Sequence, residues 1–186
     1  EITLKNISLE INKNNIIGIV GKTGSGKSTL VKIIMGLINP TSGKILIDDN
    51  KLEDIKYKWQ NNFAYIPQNF YILDDSFLEN ILFSEDKKEI NIDKVNQILK
   101  FCELDNLVDN LPQGLNTIVG PSGKLLSGGQ AQRLAIARGL YQDRDILILD
   151  EATNALDKDT EDKILKNILF LKKSKTIIMI SHNQKI

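Results

Sequence analysis

Eight residues near the start of the chain, Gly21-Lys22-Thr23-Gly24-Ser25-Gly26-Lys27-Ser28, constrain its fold more than any other feature, because they fit the spacing G-x-x-x-x-G-K-[ST]. An apolar run over Ile16–Val20 precedes them, and a helix-like segment over residues 29–36 follows. Strand, loop and helix in that order are the context in which the pattern cradles phosphate, and an ordinary Gly-rich turn lacks it. Glycines let the backbone wrap close to phosphate oxygens, so that N–H groups and the positive end of a helix face the negative charge. Lys27 adds a cation for the β and γ phosphates, and the Ser28 hydroxyl is suited to Mg²⁺. Gly21, Thr23, Gly24, Ser25, Gly26, Lys27, Ser28 and Thr29 are therefore the expected nucleotide-binding positions.

Further apolar runs at residues 63–66, 146–149 and 177–180 alternate with amphipathic segments of helical length. Runs this continuous suit strands covered on both faces, hence a parallel sheet flanked by helices and an α/β fold. Residues 2–9 and 44–48 read as antiparallel strands, the second introduced by the turn signal Asn39-Pro40-Thr41-Ser42-Gly43, and predict a small β layer beside the main sheet. Between Gln68 and Ser127 the strand signal disappears. Residues 77–83 and 93–103 read there as helices, the second with Val95, Ile98, Leu99 and Cys102 on one face, which predicts an inserted helical subdomain. The pairs Lys87-Lys88 and Lys172-Lys173 read as solvated faces.

Composition narrows the partners. With 24 Lys plus Arg against 24 Asp plus Glu, nothing in the whole-chain charge favours a polyanion, and no nucleic acid is expected as partner. One Cys excludes an intramolecular disulfide, and one Cys with one His leaves no zinc-binding spacing. The longest apolar runs fall far short of the roughly 20 residues that cross a bilayer, and no charged-then-apolar leader opens the sequence.

A second element of nucleotide chemistry is Ile146-Leu147-Ile148-Leu149-Asp150-Glu151, an apolar strand ending in two acids. At a strand's carboxyl end, Asp150 is placed to contact Mg²⁺, usually through water, and Glu151 to polarise the water that attacks a γ-phosphate. Taken alone, the two acids could equally cap a buried strand; beside a phosphate loop the chemical reading prevails.

Leu126-Ser127-Gly128-Gly129-Gln130, continuing through Ala131-Gln132-Arg133-Leu134-Ala135-Ile136-Ala137-Arg138, resembles the signature motif of ABC (ATP-binding cassette) ATPases. The resemblance extends to Ile66-Pro67-Gln68, similar to the Q-loop, to Ala155-Leu156-Asp157, similar to the D-loop, and to Ser181-His182, similar to the switch histidine. It covers essentially the whole chain, in the family's order, and implies a phosphate-loop NTPase (RecA-like) sheet core with an antiparallel β subdomain and an inserted helical subdomain. Residues 1–186 are then one cassette, with 1–67 and 136–186 as core and 68–135 as the helical part carrying Q-loop and signature.

Physically, Ser127, Gly128 and Gly129 would cap a helix beginning near Gln130, aiming a hydroxyl and backbone N–H groups outward. In the family, two cassettes pair head to tail, so the resemblance implies that Ser127, Gly128, Gly129 and Gln130 close over ATP held by the partner cassette. It makes Gln68 a ligand to Mg²⁺ and to the attacking water, and His182 a γ-phosphate sensor that orients Glu151, although a lone His ending a strand is more often structural. Asp157 would lie at the dimer seam or, more plainly, cap the helix over residues 158–171.

Ser76-Phe77-Leu78-Glu79-Asn80-Ile81, Leu111-Pro112-Gln113-Gly114-Leu115 and Glu151-Ala152-Thr153-Asn154-Ala155-Leu156-Asp157 resemble segments of exporters in particular. That implies a transmembrane domain fused on the N-terminal side, docked on the Q-loop and the helical insert, with the cassette at the cytoplasmic face of the bacterial inner membrane. The phosphate loop and residues 45–49 also resemble bacterial lipid or lipid-linked oligosaccharide flippases, and imply such a cargo. Three departures stand out: the place of the adenine-stacking aromatic residue falls before Glu1, Gly120-Pro121-Ser122-Gly123 replaces a loop that is commonly acidic, and family members continue beyond the switch histidine. The resemblance therefore implies a cassette cut from a longer chain. Rival readings are a soluble importer subunit, a non-transport ABC protein, and a GTPase, whose guanine-reading Asn-Lys-x-Asp is approached only by Asn50-Lys51-Leu52-Glu53.

Overall fold

The structure is a computed structural model that describes residues 4–83, 90–120 and 125–182. Among them, β1 (Ile16–Val20), β4 (Phe63–Ile66), β5 (Ile146–Asp150) and β6 (Thr176–Ser181) form a parallel sheet in the order β1-β6-β5-β4. β2 (Leu46–Ile47) and β3 (Asn50–Lys51) form a separate antiparallel pair. The helices are α1 (Lys27–Ile34), α2 (Leu52–Gln60), α3 (Phe77–Leu82), α4 (Ile92–Phe101), α5 (Asp105–Asp109), α6 (Gly128–Tyr141) and α7 (Lys158–Phe170).

Because successive side chains of a strand point to opposite faces, each buried strand feeds two cores. Leu147 and Leu149 of β5 join Ile66, Ile177 and Met179 in a large cluster under α3, α4, α6 and α7. Ile148 turns the other way and packs with Val31 of α1, Phe63, Ile178 and Ile180. The strands are covered on both sides, as their unbroken apolar runs require.

The small β layer differs from expectation. Residues 4–9 carry no strand pairing, and residues 1–3 lie outside the described residues. Leu46 and Ile47 pair instead with Lys51 and Asn50 across a two-residue turn, in which Asp48 (φ 46°) and Asp49 (φ 68°) both take the left-handed conformation. Two successive positive φ values give the turn whose twist suits a tight hairpin, so residues 44–48 fold back on their immediate successors and not on the N-terminal segment. Asn50 Nδ2 braces the turn by donating to the carbonyl of Asp48 at 3.1 Å.

α2 has no counterpart in the sequence reading. It holds the far end of α1: Trp59 Nε1 donates to the Ile34 carbonyl at 2.7 Å and Gln60 Nε2 to that of Gly36 at 3.1 Å, satisfying acceptors that a helix terminus leaves open. α3 and α4 fall where expected, and Val95, Ile98, Leu99 and Cys102 are all buried, with burial pushing the Cys102 thiol pKa up. Lys172 and Lys173 are exposed in a short 3₁₀ turn, whereas Lys87-Lys88 lies outside the described residues. α6 runs unbroken across the expected boundary between residues 135 and 136.

α6 is buried along most of its length and lies on β4 at close range. A Cβ built on Gly139 would stand 2.7 Å from Cγ1 and 2.8 Å from Cδ1 of Ile66, itself fully buried. Gly139→Ala is expected to lower stability by about 1 kcal/mol, because an overpacking cost of about 1–3 kcal/mol exceeds the gain of up to about 1 kcal/mol in helix propensity. Urea unfolding checks this; an unchanged or higher midpoint would show that α6 has room to move off β4.

Candidate functional site

In a parallel sheet all carboxyl ends of the strands share one edge, where ligands of open α/β folds bind. Here that edge gathers the loop after β1, Gln68 after β4, Asp150 and Glu151 at the end of β5, and His182 after β6.

Lys27 opens α1 and is buried to 9% exposure. Its ammonium donates to the carbonyls of Gly21 at 2.8 Å and Lys22 at 3.1 Å, which curls the loop over its own lysine. Gly26, the N-cap of α1, has φ 89°, a conformation open to glycine. Neither a side-chain cap nor an acidic residue occupies the first turn of α1, where Ser28 and Thr29 lie. That positive helix end, with Lys27 beside it, fits a phosphate group.

Glu151 is the hub of the edge. It is 6% exposed and has φ 52°. Its Oε2 accepts from Gln68 Nε2 at 2.9 Å and from Asn154 Nδ2 at 2.8 Å, and its Oε1 pairs with His182 Nε2. His182 Nδ1 lies 3.3 Å from Lys27 Nζ. With the proton on Nε2 the ring accepts from Lys27 and donates to Glu151, while the Gly21 carbonyl oxygen, also 3.3 Å from Nδ1, accepts from the Lys27 ammonium. One chain of contacts thus runs from the phosphate loop through His182 and Glu151 to Gln68.

Asp150 is equally buried, and its Oδ2 accepts from Tyr65 OH at 2.8 Å. Burial, and then the Asp150 carboxylate, push the Tyr65 pKa well above its ordinary value. Ser28, Gln68 and Asp150 all bring oxygen atoms, only one of them from a carboxylate. That is the donor chemistry of Mg²⁺, which keeps waters and leans on substrate phosphates. Among the described residues no group of three or more His, Cys, Asp or Glu is placed to hold a metal by itself.

The signature-like segment lies elsewhere. Ser127 caps α6: its Oγ accepts from the Gln130 N–H at 3.2 Å, and Gln130 Oε1 accepts from the Ser127 N–H at 2.8 Å. This reciprocal pair fixes the entry to the helix and leaves Ser127 and Gly128 exposed and Gly129 half-buried at its positive end. Among the described residues no hydrogen bond ties residues 127–130 to the phosphate loop. Asp157 caps α7 by accepting from the Thr160 N–H at 3.0 Å, and that hydrogen bond holds its carboxyl below the usual range. Of the segment 120–123, only Gly120 belongs to the described residues.

Three side chains in this network escaped the sequence reading. Tyr65 was visible only as a hydroxyl-bearing residue in an apolar strand, and Asn154 as a departure from Ser in the exporter-like E-A-T-S-A-L-D pattern. Gln132, on the second turn of α6, gave no signal of its own.

A phosphate loop at the head of a parallel sheet, with an acidic pair at the end of β5 one strand removed from β1, defines a phosphate-loop nucleotide-binding domain. The ABC transporter family matches residues 4–154, and the chain belongs to that family as an ATP-binding cassette. It is 39% identical over 181 residues to an ATP-dependent lipid A-core flippase of Ralstonia nicotianae, covering 96% of this chain and 31% of the relative. It is also 39% identical over 182 residues to the alpha-hemolysin translocation ATP-binding protein HlyB of Escherichia coli O157:H7, covering 97% and 26%. Among solved structures, a bacterial Atm1-family ABC exporter with ATP bound superposes with a TM-score of 0.84 at 33% identity, over 91% of this chain and 30% of that one. The chain thus spans between about a quarter and a third of the length of these relatives.

Tyr65→Phe removes the donor to a buried carboxylate and is expected to cost about 1–3 kcal/mol at neutral pH. Because the Tyr65 pKa is raised in the folded state, the folded chain keeps a proton that the unfolded chain loses near pH 10, so stability falls as pH rises above about 10. The variant should lose that part of the alkaline decline. Chemical unfolding between neutral and alkaline pH checks both points, and identical curves for the two proteins would sink them.

Proposed function

We propose that this cassette binds ATP with Mg²⁺, pairs head to tail with a second cassette, and hydrolyses ATP to drive export by a membrane domain to which it is joined. The observation that carries the reading is the convergence of Gln68, Asn154 and His182 on the carboxylate of Glu151, with Lys27 of the phosphate loop one contact away. A carboxylate held from both oxygens, at the strand edge and beside a phosphate-binding helix end, is oriented to take a proton from an attacking water. The oxygen of that water joins the γ-phosphorus, the bond to the bridging oxygen of the β-phosphate breaks, and the proton passes to Glu151. Mg²⁺, when bound, neutralises charge on the phosphate oxygens, and Ser28, Gln68 and Asp150 are the residues that would hold it. Gly21, Thr23, Gly24, Ser25, Gly26, Lys27 and Thr29 grip the phosphates, and His182 aligns Glu151 with the γ-phosphate.

The capped but exposed end of α6 supports a shared site. Ser127, Gly128, Gly129 and Gln130 offer an anion site with no phosphate loop of their own chain against it, so they serve the ATP of the partner cassette. Residues 68–135, with Gln68 at their start, carry the opening and closing of that seam to a transmembrane domain on the N-terminal side, at the cytoplasmic face of a bacterial inner membrane. The lipid A-core flippase and the haemolysin translocator stand at the same 39% identity, so the cassette supports export as such, with cargo chosen by the membrane domain.

In the full-length protein, Glu151→Gln should bind ATP, accumulate the closed pair and lose about 10²–10⁴-fold in turnover. Near-normal ATP hydrolysis by that variant would remove Glu151 from the role of base. Mixed dimers of Ser127→Arg and Lys27→Ala chains retain one intact composite site, whereas each parent dimer has none. ATP-dependent closure in the mixed dimer alone is expected; its absence with both chains folded would overturn the shared site.

A further inference from the structure

Gln132 sits one turn beyond the Ser127 cap on α6 and is 4% exposed. A buried amide is tolerated where both its ends find partners. Here Nε2 donates to the carbonyl of Glu151 at 3.2 Å and Oε1 accepts from the N–H of Ala155 at 2.8 Å. One side chain from α6 therefore clasps both ends of the turn that leads from β5 toward α7. The same helix presses on that turn one residue position after its entry: a Cβ on Gly129 would stand 3.1 Å from the Ala155 carbonyl oxygen.

The clasped residue is an unusual one. Glu151 holds φ 52°, a left-handed conformation that a non-glycine residue keeps only where its surroundings over-determine it. Its N–H donates to Ile180 of β6 at 3.1 Å, while its carbonyl accepts from Gln132 and from the Asn154 N–H at 3.3 Å. Both peptide groups of Glu151 are thus pinned, one by the sheet and one by α6. The rotation that aims its carboxylate at Gln68 and His182 follows from that backbone.

We infer that Gln132 is a positioning residue for ATP hydrolysis: its amide fixes the backbone turn of Glu151 and ties the aim of this base to the helix that bears the signature-like segment. The inference rests on the reading of Glu151 as the base. Gln132 is too deeply placed to touch nucleotide itself, and acts through the carbonyl of Glu151 and the turn toward Asp157. It follows that a movement of α6 at the partner's ATP reaches the base of the chain's own site through one amide.

Two variants of the full-length protein test this. Gln132→Glu keeps size and the acceptor for Ala155 but turns an oxygen against the Glu151 carbonyl; Gln132→Met keeps length and loses both bonds. Both should lower kcat by about tenfold to a hundredfold, as loss of alignment does, with KM and the affinity for a fluorescent ATP analogue within about twofold of the parent. Added to Glu151→Gln, Gln132→Met should change the residual rate by less than about twofold, since a residue acting through the base has nothing left to align. A kcat within about twofold of the parent in both variants, a parallel rise in KM, or additive losses with Glu151→Gln would overturn the inference. Failure of both variants to fold would make the amide a structural clasp and overturn it as well. Near-normal turnover by Glu151→Gln alone would instead sink the role of the base, and this inference with it; a dead Glu151→Gln beside two active Gln132 variants sinks the inference alone.

Discussion

Parallel pairing between β5 and β6 sets the register on which the site depends: Ile148 lies beside Ile178, Leu149 beside Met179 and Asp150 beside Ile180. One residue further, the Glu151 N–H reaches back to the Ile180 carbonyl, so the acid is anchored to the strand that also delivers His182. A slip of one residue in either strand would turn its own isoleucine, Ile148 or Ile178, from one core to the other and shift Glu151 relative to His182. The two hydrophobic clusters that sandwich the sheet therefore do more than stabilise it. They hold the register, and the register holds the chemistry.

The interior polar contacts have a division of labour. Near the helical layer, Arg138 donates to the Tyr71 carbonyl at 2.8 Å and to the Asn80 carbonyl at 2.9 Å, while buried Asn80 accepts from the Leu73 N–H at 2.8 Å. This second network fastens the stretch that follows Gln68 to the same helix that carries Gln132 and the Ser127 cap. α6 accordingly holds the site at two points: its second turn grips the carbonyl of Glu151, and Arg138 further along grips the segment that follows Gln68. Buried polar links of this kind transmit position well because each must stay satisfied, and a broken one leaves an uncompensated group in a medium of low polarity.

Much of this was legible in the sequence because continuous apolar runs admit few arrangements. The four main strands begin and end within one residue of the runs at 16–20, 63–66, 146–149 and 177–180. The phosphate-loop spacing and the motif order located Lys27, Gln68, Glu151 and His182, which the fold brings to one edge. Legibility failed where three-dimensional partners decide the outcome. α2 buries only Leu52 among largely charged neighbours, and its anchorage depends on Trp59 and Gln60 meeting the end of α1. The hairpin at Asp48-Asp49 depends on two left-handed residues, neither of them Gly. Tyr65, Asn154 and Gln132 earn their places by what they meet across the fold, which no spacing along the chain records.

Among the described strands, β1 is bonded on one side only, to β6, and Val20 at its end stands exposed just before the phosphate loop. The strand that leads into the phosphate loop is thus held by the sheet from one side only, and segments with fewer such ties open locally at lower cost. A ligand that bridged its loop to Asp150, at the end of the inner strand β5, would act as a rivet across the sheet. By mass action, whatever bound there would stabilise the folded chain over the unfolded one, so occupancy would lengthen the lifetime of the fold against unfolding and proteolysis.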